Sequence, residues 1–169
     1  MRATEPSTSV TAVALDPAFV ADCPYAPEAL LFDDIVRVDR EASVVVATMP
    51  THGDLPLTRD QRNHPERHPQ HVAGGLMIHL TGMLGFAHAY FVLDLRHADG
   101  WIGYGTHIHE GRFKRMGRIG PPMELTCTAS SVRRIGGAIV ARYVFRFEQE
   151  GVLVYAGEQT ALFSRVATT

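Results

Sequence analysis

The sequence predicts an α+β fold, with one curved antiparallel sheet wrapped around a single long central helix. Three observations predict it. The last third of the chain alternates apolar and polar residues in long runs separated by glycine turns. One stretch, Val72 to Leu93, contains no Asp, Glu, Lys or Arg and has the length of one buried helix. Finally, the chain has 169 residues, 46% of them hydrophobic, and a net charge of -2. That composition suits one domain with a substantial core and excludes a disordered chain.

The elements follow in order. Residues 1–24 are rich in Ser, Thr, Ala and Pro with little periodicity, and read as a partly irregular extension ahead of a single domain over 25–169. Pro27 to Leu31 suits a short helix. Ile35 to Arg40 and Ser43 to Met49 are β-branched and apolar, and the residues between them suit a hairpin turn. Pro50 to His71 holds four prolines and several charges, and so reads as an extended loop. The long helix runs from Ala73 to about Leu95. Strands follow over 101–112, 124–132, 138–147 and 152–163, with turns at Gly136-Gly137 and Glu150-Gly151.

Composition narrows the function. A pI near 6.5 speaks against a nucleic-acid binder. Two cysteines, Cys23 and Cys127, make no disulfide framework, and Met1 to Pro27 shows no basic region leading into an apolar stretch; a cytoplasmic location is expected. Val72 to Leu93 reaches the length of a membrane span, but its glycines and its two histidines favour a helix buried in protein, so no membrane partner is expected. All nine histidines fall between positions 52 and 109. His64, His68 and His71 have i, i+4, i+7 spacing, which on a helix can hold zinc, but Pro65 and Pro69 oppose a helix there, and no metal site is expected.

The stretch His64-Pro-Glu-Arg-His68-Pro69-Gln-His71-Val-Ala-Gly74-Gly75-Leu76-Met-Ile-His79 resembles the H-F-P-G-x-P-x-x-P-G-x-L-x-x-E signature of the 3-hydroxyacyl-acyl-carrier-protein dehydratases, with one extra residue before Gly74. Arg112-Phe113-Lys114-Arg115 followed by Gly120-Pro-Pro-Met-Glu-Leu125 is similar to that family's R-F-x-R … P-G-D-x-L passage. The resemblance spans roughly residues 28–165 and implies the hotdog fold. It departs at one place of consequence. The family's carboxylate position, five residues after the loop glycine, is His79. Hotdog thioesterases commonly carry an acid one or two turns into this helix, and there the sequence has His79, Leu80, Thr81 and Gly82.

The resemblance implies an enzyme of acyl thioesters. Dehydration of a 3-hydroxyacyl thioester needs a base beside the thioester carbonyl, an acid for the departing hydroxyl, and donors where negative charge develops. On that reading His64 is the base, with His71 the competitor, and His79 stands in the place of the acid. The helix start at Gly74 and Gly75 holds the carbonyl, and Leu76 and Met83 contact substrate. Arg112, Phe113 and Arg115, with Lys114 and Arg118 beside them, form a surface for coenzyme A phosphates or an acidic carrier protein. Thioester hydrolysis is the alternative, and an acyl-thioester-binding protein without chemistry is a third. Asp54, Asp60, Glu66 and Glu110 are read as solvated charges. No cofactor is expected. The resemblance also implies a homodimer or larger homo-oligomer.

Overall fold

The computed structural model describes residues 13–166. The chain builds β1 (Val13–Ala14), α1 (Pro17–Asp22), a 3-10 turn (Pro27–Ala29), β2 (Asp34–Asp39), β3 (Val44–Met49) and α2 (Gly74–Phe91). A second 3-10 turn (His97–Asp99) leads to β4 (Trp101–Phe113), β5 (Met123–Ile135), β6 (Ala138–Gln149) and β7 (Val152–Arg165). The strands form one sheet, in the order β1-β2-β3-β5-β6-β7-β4, and every pairing is antiparallel.

The meander β5-β6-β7 is as expected. Gly136 and Gly137 both have positive φ, as do Glu150 and Gly151, which is the backbone a two-residue turn needs to follow the twist of its strands. Along β6 the burial alternates strictly, so Ile139, Ala141, Tyr143, Phe145 and Phe147 all enter the core. The helix lies across this inner face. Leu76, Met77, Leu80, Leu84 and Ala87 pack in one core with Val45, Ala47 and Met49 of β3 and Leu125 and Cys127 of β5. Because the sheet curls round it, α2 is apolar on nearly every side, which explains the missing charges without a membrane. Among the described residues no helix is long and apolar enough to cross one.

Two features add detail to the sequence reading. The expected irregular extension has residues 1–12 outside the described residues, and the remainder is ordered. Asp16 caps α1 by accepting a hydrogen bond from the Ala18 N–H (2.8 Å), and Pro17 opens the helix. Phe19 is 1% exposed and meets Tyr90 edge-on at 5.2 Å, so a single aromatic anchors a stretch whose composition reads as loop. The helix also stops at Phe91, four residues before the expected end, because Asp94 takes a left-handed backbone and the Leu95 N–H turns back to the Ala89 carbonyl.

The strand that follows the helix does not continue the meander. β4 crosses to the far side of β7 and ends the sheet, so one of its edges is unpaired. Ile102, Tyr104, Ile108 and Phe113 are all exposed along it. Inside, the Tyr155 ring lies along β7 over Gly157, where a Cβ would stand 2.5 Å from the Tyr155 hydroxyl oxygen. Gly157→Ala is therefore expected to cost about 1–3 kcal/mol in chemical denaturation, because the ring is fully enclosed and has nowhere to retreat.

Candidate active site

The segment entering α2 is pinned from three sides. The Ala73 N–H donates to the buried Thr58 hydroxyl (3.0 Å), and the Val72 N–H donates to the Gly117 carbonyl (2.8 Å). Gln61 clamps the backbone of His71, its amide donating to the His71 carbonyl (2.8 Å) and its oxygen accepting from the His71 N–H (3.2 Å). Neither Thr58 nor Gln61 stood out in the sequence, since both sit in a loop of mixed composition and show their role only through backbone contacts.

This clamp fixes a chemically useful pair. The His71 ring donates its Nδ1–H to the Pro69 carbonyl (2.9 Å), which sets the tautomer and leaves the Nε2 lone pair free. Three residues on, α2 starts at Gly74 with no side-chain cap, so its first backbone N–H groups point outward at the positive end of the helix dipole. His71 and Gly74 line one groove of about 390 Å³ with Met77, Phe113, Lys114 and Arg115. A Cβ at Gly74 would stand 3.0 Å from the edge of the exposed Phe113 ring, which would have to shift by a few tenths of an ångström to admit it. Gly75 faces Leu57 in the same way, at 3.0 Å.

A second cleft, of about 280 Å³, opens one turn further along α2, between the helix and strands β4, β6 and β7. His79 and Met83 line it. The His79 ring donates Nε2–H to the Ala29 carbonyl (2.7 Å) and meets Tyr25 edge-on at 6.1 Å. Across the cleft, Gln159 of β7 donates to the Thr81 hydroxyl of α2 (2.6 Å), which donates in turn to the Ile78 carbonyl (2.6 Å). Among the described residues neither the groove nor the cleft is lined by Asp or Glu.

The structure thus brings together His71, Gly74, Phe113 and Arg115 in the groove, and His79 and Met83 in the cleft. Gly75 flanks the groove, and Leu76 is buried in the core beneath it. His64 lies apart. It forms a small bridge with His68, its Nδ1 accepts from the Arg67 N–H (3.0 Å), and the Arg67 guanidinium sits against its other nitrogen (3.1 Å). Arg112 points along β4, ion-paired with Glu110. Arg118 pairs with Glu150, so Lys114 and Arg115 are the cations of this patch that stand at the groove without an ion pair among the described residues. His68 and His71 meet at 5.1 Å and His107 and His109 stack at 4.9 Å, but no three His, Cys, Asp or Glu side chains converge among the described residues.

No family model matches the sequence, and no curated protein matches it. Solved structures do match. A thioesterase from Haemophilus influenzae is similar over 86% of this chain and 87% of its own, with a TM-score of 0.60 and 16% identity. A thioesterase from Pseudomonas aeruginosa is similar over 88% and 92%, at 0.61 and 17%. A dehydratase heterocomplex from Xenorhabdus doucetiae is similar over 91% and 94%, at 0.61 and 11%. Identities this low show shared architecture: the chain has the hotdog fold, a curled antiparallel sheet around one central helix.

Proposed function

We propose that the chain is an acyl-thioester enzyme acting at the groove where α2 begins, and that hydrolysis is the chemistry its residues support best. The observation carrying this reading is the pairing of His71, with Nε2 free, and an uncapped helix start in one groove. His71 would take a proton from water as the water oxygen attacks the thioester carbonyl carbon. The N–H groups of Gly74 and Gly75 would hold the oxygen on which negative charge develops, and the sulfur would leave as a thiol as the C–S bond breaks and the His71 imidazolium returns the proton to it. This needs one base and one set of donors, both present, and no carboxylate. Lys114 and Arg115 would receive the phosphates of coenzyme A or an acidic carrier protein. The several thioesterases among the structural neighbours support the same choice.

One observation keeps dehydration as a second reading. His79 stands at the acid position of the dehydratases and faces a cleft, held by the Ala29 carbonyl. Incubation with a 3-hydroxyacyl thioester separates the two: free thiol marks hydrolysis and an enoyl product marks dehydration. Neither product from any acyl thioester would leave a binding protein.

The chain is also proposed to work as a homodimer joined through β4. Its unpaired backbone edge and its row of exposed apolar side chains are the features of a strand that another strand covers. Ile108, 56% exposed at the middle of that edge, is the residue to change. Ile108→Glu is expected to shift the protein to monomer in sedimentation velocity without lowering its helical signal.

A further inference from the structure

Glycines occupy positions 82 and 85 inside α2, where each destabilises a helix by about 1 kcal/mol relative to alanine. Packing does not require them. A Cβ at Gly82, at Gly85 or at Gly105 of β4 would meet nothing within 4 Å, whereas one at the neighbouring Gly103 would stand 2.5 Å from the Phe163 ring. Gly103 is thus fixed by close packing, while the other three border empty space. That space is the cleft between α2 and the sheet, whose inner wall is made by Tyr143, Phe145 and Phe163, each at most 4% exposed.

We infer that this cleft is the acyl-binding chamber, and that it takes a compact acyl group, a single ring or a short chain, and rejects long-chain groups. Its volume of about 280 Å³ lies at the low end for small-molecule sites, and its aromatic walls offer flat faces and ring edges. The chamber begins one turn along the helix from Gly74, about 6 Å along the helix axis from a thioester carbonyl held at the helix start. The exposed mouth, at Ile78, Gly82 and Tyr104, faces the β4 edge that a second copy would cover.

The inference rests on the acyl-thioester reading, and its test does not use turnover. Free hexanoate, 3-phenylpropanoate and palmitate are titrated into the native protein by calorimetry. The two compact acids bind and palmitate does not. Gly85→Leu, which fills the chamber from the helix side, weakens both compact acids by about tenfold or more. Gly85→Ala, expected to raise the melting temperature through helix propensity, confirms that the position tolerates a side chain. Palmitate binding as tightly as hexanoate overturns the size limit. Unchanged affinities in a folded Gly85→Leu protein overturn the chamber itself. If the compact acids bind and no thioester is cleaved or dehydrated, the chamber stands and the enzymatic reading fails.

Discussion

Replacing His71 by alanine is expected to lower turnover of an acyl thioester by about two to four orders of magnitude, the usual contribution of a positioned general base. Stability should be almost unchanged. The backbone of His71, not its ring, makes the contacts with Gln61, and the ring's one strong bond is to the nearby Pro69 carbonyl. His64→Ala is the paired control. That ring is engaged with its own loop and with Arg67, so its loss should leave the rate within a few-fold. Steady-state kinetics on both variants decide between the two histidines. A large loss at His64 with none at His71 would place the base in the other loop. Gln61→Ala should act through His71, reducing kcat more than KM, because the Gln61 side chain hydrogen-bonds the His71 backbone and does not line the groove.

Acid is expected to unfold the protein early, and His88 is the reason. Its ring is fully buried on α2. Nε2 faces the Ser43 hydroxyl (3.0 Å) and carbonyl (3.2 Å), and Nδ1 faces the Tyr143 hydroxyl (3.2 Å). Burial lowers its pKa from the ordinary 6.5 to about 4. The folded state therefore holds the ring neutral where the unfolded chain would already have bound a proton. The sign follows: stability is complete above about pH 6.5 and falls as the pH drops toward 4, by roughly 3 kcal/mol in all. Urea denaturation across that range checks it. His88→Leu removes this titration, so its stability should depend less on pH over the same window. At neutral pH the variant should be weaker by about 2 kcal/mol, since the Tyr143 and Ser43 hydroxyls lose their partner.

Much of the architecture was legible because it is written in local patterns. Strict alternation on β6 and paired positive-φ turns specify a meander without any tertiary information. The charge-free stretch around Leu80 and Leu84 could only be a buried helix once a membrane span was set aside. The place of β4 at the sheet edge was not legible. Which strand a segment pairs with depends on the crossover after α2, and β4 has glycines where a central strand would carry apolar side chains. The contacts around the proposed site were legible only in part. Gly74, Phe113 and Arg115 line one groove with His71, whereas the backbone clamps from Thr58 and Gln61 that hold this segment are revealed by no spacing. Gln159 and Thr81 meet across the cleft from positions far apart in sequence, so neither marked itself as part of it. The resemblance puts His79 at an acid position; in the structure its ring ties α2 to the Ala29 turn while facing the cleft.

The most direct test is product formation by the purified protein on a panel of acyl-coenzyme A and acyl-carrier-protein thioesters, following free thiol and enoyl product together. Thiol release from compact acyl thioesters, abolished in His71→Ala, is the predicted result. Neither thiol nor enoyl product from any member of the panel, with the protein folded and the compact acids excluded from the cleft, would contradict the reading of this groove as an acyl-thioester site.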